Sequence, residues 1–273
     1  MRSNLLLLTS LTILASLAFA QDKDKPAIIA FNPNGPNGAG LTGPNARTST
    51  RGSGTTTTFT YYKSDLDKRE DTGVWTANGF TGSLHKVSGS EFIHVIEGTI
   101  TLADKDGQEM IFKAGDSLLI PRGAEVAWKK TENVKEYWVS FDYSTDPISA
   151  STEPVVMRLE ANGPPGKALR GRGKTREYDY YAGANKSSVG VWETDANTTD
   201  AFKTNPYSEF MYFLTGTVTL STPDGQSLTF HAGDAALVPR GVPYKWSSDT
   251  SRKFWVEFDR QPPATPAAAA GSN

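Results

Sequence analysis

The 273-residue chain has no cysteine. That absence removes disulfides, thiol catalysis and cysteine-held metal together. Histidine is almost as scarce, with only His85, His94 and His231. A catalytic triad would have to use one of these three imidazoles, and no Ser–His–Asp signature accompanies them. No charge of one sign dominates: 28 Lys and Arg stand against 30 Asp and Glu. Without a basic surplus there is little to release counterions from a nucleic acid or to favour an anionic membrane. The short basic run Arg170–Lys174 reads as a solvated loop. No stretch carries a helical period beyond the first twenty residues.

Those first residues read as an export signal, not as structure. Arg2 supplies the positive start, Leu5 to Leu17 an apolar core, and Ala18-Phe19-Ala20 a small-x-small cleavage site before Gln21. The apolar run is short for a membrane span and ends in a charged segment. The expectation is a periplasmic or secreted protein that leaves the membrane once residues 1–20 are removed. Lacking disulfides, it must be held by its core. The sequons at Asn185 and Asn197 matter only in a eukaryotic secretory route.

What is present is doubled. Trp75, Trp128 and Trp138 are spaced by 53 and 10 residues; Trp192, Trp246 and Trp255 by 54 and 9. The stretch Glu91–Trp128 aligns without a gap on Glu209–Trp246, with 18 of 38 positions identical. Self-similarity over such a length means two copies of one folding unit. Around them lie a low-complexity N-terminal arm (21–59), expected to be extended or partly disordered, a linker (143–175) and a Pro/Ala-rich tail (261–273). The copies occupy 60–142 and 176–260. In the first, short β-type runs are expected at Glu91–Ile96, Thr99–Ala103, Glu109–Phe112, Ser117–Ile120, Ala124–Lys129 and Glu136–Phe141. Turn signals separate them at Asp106-Gly107, Ala114-Gly115-Asp116 and Pro121-Arg122-Gly123. The same three signals return at Asp224, Ala232 and Pro239. Many short strands with regular turns argue for an all-β sandwich or barrel.

The order Glu-Phe, Gly, Asp-Gly, Phe-x-Ala-Gly-Asp and Pro-x-Gly resembles the cupin superfamily. The resemblance covers about residues 70–142 and 187–259 and implies two tandem cupin (double-stranded β-helix, jelly-roll) barrels. Gly73-Val74-Trp75, Ser90-Glu91-Phe92 and the late Trp128 are similar to the ureidoglycine aminohydrolase-type cupins. Metal-holding members of the family use His-x-His-x(3,4)-Glu and a later Pro-x-Gly-x-x-His. Alternate strand residues then aim their side chains into one barrel. Carried over, copy one keeps His85 and Glu91, with Val87 and Val126 at the other two positions. Copy two keeps only Glu209, beside Lys203, Asn205 and Tyr244. The resemblance therefore implies no tightly bound metal, with His85 and Glu91 as the weak candidates. His94, three after Glu91, should face away from the barrel and pack. His231 should be solvated.

The candidate ligand-binding residues are Lys203, Asn205, Glu209, Tyr244 and Trp246 in copy two, and His85, Glu91 and Trp128 in copy one. Trp138 and Trp255 read as core residues. Lys203 and Glu209 either neutralise each other or serve a ligand. The lead reading is an exported bicupin that binds a small polar molecule without a cofactor. The alternative is an enzyme, a hydrolase, lyase or isomerase of a small polar metabolite, with a degenerate divalent-metal site. A third reading is a structural or oligomer-forming protein without ligand. The expected partner is a small molecule; a homodimer stays open.

Overall fold

The computed structural model describes residues 27–51, 54–144, 154–183 and 185–260. The expected signal and tail lie outside the described residues. Among the described residues, regular structure consists of nineteen strands and one short 3-10 turn, Pro36–Gly38. No helix of the described residues is long and apolar enough to cross a membrane.

The first copy is one continuous sheet folded on itself. Its order is Met157–Leu159, Ser117–Ile120, Ser90–Asp104, Glu125–Phe141, Asp71–Asn78, Gly54–Lys63 and Ala46–Arg51, with Gly82–Lys86 and Glu109–Lys113 on side branches. The second copy splits into two sheets. One runs Ile29–Phe31, Ala235–Val238, Ser208–Thr215, Ser251–Phe258, Ser188–Thr194, Thr175–Ala182; the other Asn197–Thr198, Lys245–Ser248, Thr217–Ser221, Ser227–His231. In the first copy, four expected runs fuse into two long strands. Gly98 (φ 81) and Asn133 (φ 47) form a bulge at the bend, where the pairing register shifts around Glu97 and Thr99. A Cβ at Gly98 would stand 2.2 Å from the Glu132 carbonyl oxygen, so only glycine fits.

Strand parity divides the side chains between two jobs. Ile93, Val95, Ile100, Leu102, Phe112 and Val126 fill the first barrel. Met211, Phe213, Val218, Leu220, Phe230 and Tyr244 fill the second. The alternate residues Phe92, Tyr137, Val139 and Phe141 pack on Phe210, Phe254, Val256 and Phe258, building a third core between the barrels. Equivalent residues meet across it. Phe92 and Phe210 are 5.8 Å apart, and His94 stacks on its counterpart Tyr212 at 3.6 Å. The Phe92–Phe254 and Tyr137–Phe210 contacts, each 6.3 Å, are reciprocal images of one another. Such isologous pairing places a pseudo-two-fold axis through this face.

Polar groups obey the same symmetry. Tyr62 donates to Asp259 (2.6 Å), and Tyr181 donates to Asp142 (2.5 Å). Both aspartates are buried to 1% exposure or less. Arg240 and Arg122 stand 3.6 Å from them. Glu70 lies between the two knots: its carboxylate accepts the backbone N–H of Asp142 (3.2 Å) and of Asp259 (2.7 Å).

Two segments outside the barrels also contribute strands. Parts of the arm at 21–59 are strand-paired, at 29–31, 46–51 and from 54 onward. Ile29–Phe31 pairs with Ala235–Val238 of the second barrel, and Phe31 is buried in the central core. Ala46–Arg51 and Gly54–Lys63 form a threonine-rich hairpin on the first barrel, with Ala46–Arg51 at the sheet edge and Phe59 buried. Within the expected linker, Met157–Leu159 pairs with Ser117–Ile120.

Candidate functional site

Each barrel opens into a cavity, and equivalent residues line these two. The second cavity, of about 330 Å³, is bounded by Trp192, Trp246 and Trp255, with Lys203, Tyr207, Glu209, Lys253 and Glu257 among its polar groups. Glu209 and Lys253 form an ion pair with N···O 2.5 Å, their side chains 11% and 8% exposed. The Lys253 ammonium also sits over two indole rings, 5.2 Å from Trp192 and 5.0 Å from Trp246. Asn205 is buried behind Glu209. Its amide donates to the Tyr244 hydroxyl (3.2 Å) and approaches Glu209 Oε2 (3.4 Å). Burial, then the nearby Glu209 charge, raises the Tyr244 hydroxyl above the ordinary tyrosine range.

Asn205, Glu209, Tyr244 and Trp246 are thus brought together as expected, but the pairing differs. Lys203 does not neutralise Glu209; Lys253, from the neighbouring strand, does so. Lys203 bridges to Tyr244 through backbone hydrogen bonds (3.0 and 2.9 Å), with its ammonium 5.0 Å from the tyrosine ring centroid. It makes no ion pair among the described residues and stands exposed at the rim.

The first cavity, of about 310 Å³, is lined by Asp71, Trp75, Phe80, Glu91, Trp128, Glu136 and Trp138. Trp75, Phe80 and Trp128 touch edge-on or tilted, with centroids 5.5–6.0 Å apart. Burial, reinforced by Asp71, pushes the Glu91 carboxyl up to about 7. Burial also lifts Asp71 to about 6, against the opposing pull of Lys63 and Arg47. Glu136 is raised well above the carboxylate range, first by burial and then by Glu91. Its buried Oε2 has no hydrogen-bond partner, and neither has the Trp138 indole N–H.

His85 is the misplaced candidate. It lies on the edge strand Gly82–Lys86, exposed, with Nδ1 3.0 Å from the Ser83 carbonyl oxygen, and it does not line the cavity. The pairing register breaks between Gly82 and His85, so simple alternation does not carry to this strand. His94 faces the other barrel, as its parity requires. It is 2.8 Å from Ser117 Oγ, and burial lowers it to about 4. His231 is exposed.

The family's metal motif does not fit these residues. Glu91 lacks its histidine partners, and Glu209 is already held by Lys253. Among the described residues no three His, Asp or Glu side chains are grouped so as to hold a metal ion.

The residues that sequence reasoning missed are Glu136 and Lys253. They are equivalent positions, each two before a paired tryptophan and each directly across from another: Glu136 opposite Trp75, Lys253 opposite Trp192. The repeat would have revealed them, because parity with Trp138 and Trp255 turns both inward.

Two tandem double-sheet barrels, joined by a pseudo-symmetric core and each opening into a polar cavity, define a bicupin. The chain belongs to the EutQ-like cupin domain family, whose model matches residues 65–137 and again 182–254, together more than half of the chain. No curated protein matches the sequence. A protein of unknown function of the DUF861 family from Pseudomonas syringae pv. tomato superposes with a TM-score of 0.63 at 19% identity, over 85% of this chain and 100% of its own. A cupin 2 conserved barrel domain protein from Leptotrichia buccalis does so with a TM-score of 0.52 at 12% identity, over 78% and 92%. At such identities the likeness is one of fold alone.

Proposed function

We propose that this chain is an exported bicupin that binds a small polar molecule in its second barrel, without a tightly held metal. The carrying observation is the second cavity. It presents charges of both signs against tryptophan walls, with the Lys203 ammonium at its rim and the Glu209–Lys253 ion pair within. Concave sites with a few convergent polar groups on aromatic walls suit small ligands. Export is inferred from residues 1–20, and a periplasmic or secreted location follows from it. The similarity to ureidoglycine aminohydrolases is carried as kinship of fold, because function resides in the site.

The test is a thermal-shift screen of polar metabolites on metal-free protein, repeated with Glu209→Gln and Tyr244→Phe. A ligand at about 100 times its Kd stabilises by about 2.7 kcal/mol, or roughly 5–10 °C for a chain of this size. The reading expects at least one metabolite to shift the wild type and to lose that shift in both variants. Unchanged affinity in both variants would remove the second barrel from consideration.

A second reading, acid–base catalysis by a hydrolase, lyase or isomerase, is favoured by one observation. The Glu91 carboxyl, held at about 7 on a cavity wall, is poised as a general base near neutral pH. Turnover of an identified ligand that is lost in Glu91→Gln would favour it.

A further inference from the structure

We propose that the first barrel is a separate binding site for a small organic ammonium ion, held between Glu91 and Glu136 against the Trp75 and Trp128 rings. In the second barrel, a glutamate (Glu209) and a tryptophan pair (Trp192 and Trp246, 5.3 Å apart) surround an ammonium, the protein's own Lys253. The first barrel repeats the glutamate as Glu91 and the tryptophan pair as Trp75 and Trp128, 5.5 Å apart. At the lysine position it has Glu136. The box that receives a cation in one half is therefore rebuilt in the other without its cation, and with a second carboxylate in its place.

Further observations point the same way. Glu136 is 2% exposed and its Oε2 has no hydrogen-bond partner, an arrangement that costs stability unless something satisfies it. The Trp138 indole N–H beside it is also unpartnered, so it offers a donor to a hydroxyl or carbonyl on the same ligand. Asp71 adds a third carboxylate, and no lysine or arginine lines the cavity. The space of about 310 Å³ admits a molecule of several heavy atoms. Indole faces attract a weakly hydrated organic cation, so the walls favour ammonium over a hydrated metal ion.

The experiment is calorimetric titration of the full mature chain with choline, with protonated ethanolamine, with the neutral choline isostere 3,3-dimethyl-1-butanol, and with Mg²⁺ and Zn²⁺. The expected result is saturable binding of at least one of the two ammonium ions, about tenfold or more tighter than the isostere, a difference of about 1.4 kcal/mol. Glu136→Lys transplants the second barrel's arrangement. It should fold, abolish ammonium binding and raise the melting temperature, because the introduced ammonium fills the box. Glu91→Gln and Trp128→Ala provide the same readout should Glu136→Lys not fold; each should weaken ammonium binding about tenfold or more. The proposal is overturned if neither ammonium ion binds, if the isostere binds equally well, if only a metal ion binds, or if Glu136→Lys folds and still binds ammonium. Because Glu209→Gln leaves the first barrel intact, ammonium binding should survive it, which separates this site from the one proposed in the second barrel.

Discussion

Replacing Lys253 by Met leaves Glu209 as a charge without its partner, in a pocket where both side chains are about nine-tenths buried. Removing one member of a buried pair costs about 3–5 kcal/mol, mostly because the remaining ion is desolvated and unpaired. Loss of the ammonium from the faces of Trp192 and Trp246 adds about 0.5–1 kcal/mol for each ring. For a chain of this size a kcal/mol corresponds to about 2–4 °C, so a total loss of about 4–7 kcal/mol should make Lys253→Met melt roughly 8–28 °C below wild type. The double variant Glu209→Gln/Lys253→Met removes both charges and should recover most of the loss, since a neutral pair of similar volume is often no worse than an ion pair. The assay is urea and thermal denaturation of wild type, the two single variants and the double variant at pH 7. A coupling energy below about 0.5 kcal/mol would mean that the two residues act independently, and the charged box would then be a surface contact and not the organising feature of the cavity.

The pseudo-two-fold makes a paired forecast: Tyr62→Phe and Tyr181→Phe each remove a hydrogen bond to a buried aspartate and should each cost about 1.5–3 kcal/mol. Chemical denaturation checks this, and a difference above about 1 kcal/mol between them would break the symmetry argument. Stability should also depend on pH through Glu91. Its folded pKa of about 7 lies above its ordinary 4.5, so the native state holds the extra proton. That contribution is therefore most favourable below about pH 4.5 and declines as pH rises to about 7, by up to about 3 kcal/mol. His94, lowered from 6.5 to about 4, contributes the opposite slope, gaining stability as pH rises through that range. The difference between wild type and Glu91→Gln isolates the carboxyl; a difference that does not change between pH 4.5 and 7 would show that Glu91 is not desolvated. Gly98→Ala should be severely destabilising, because a Cβ there meets the Glu132 carbonyl, and a melting temperature within about 2 °C of wild type would contradict the bulge geometry.

The barrels were legible because their marks are local. The Asp-Gly and Pro-x-Gly turns fix strand ends, and period-2 parity sends Glu209 inward and His94 outward. The cluster of Lys203, Asn205, Glu209 and Tyr244 came from the ligand positions that the cupin resemblance implies. What escaped depends on long-range pairing. Ile29–Phe31 reads as coil in a Pro- and Asn-rich segment, and only the distant edge strand Ala235–Val238 makes it a strand. His85 was assigned inward by a motif count that ignores the broken register of its edge strand. Lys253 and Glu136 belong to no family motif, so the charge reversal that distinguishes the cavities became visible only when the last strands of both copies were laid side by side. The buried knots at Asp142 and Asp259 are likewise products of barrel docking, which strand patterns do not specify.

On the proposed function, these barrels hold a small molecule through protein side chains and not through a metal. The most direct measurement is elemental analysis of protein purified and dialysed without added metal. The account predicts far less than one equivalent of Mn, Fe, Zn or Ni per chain, together with retained metabolite binding. A stoichiometric first-row metal that survives dialysis would contradict it, and its loss on His85→Ala or Glu91→Gln would place that metal in the first barrel.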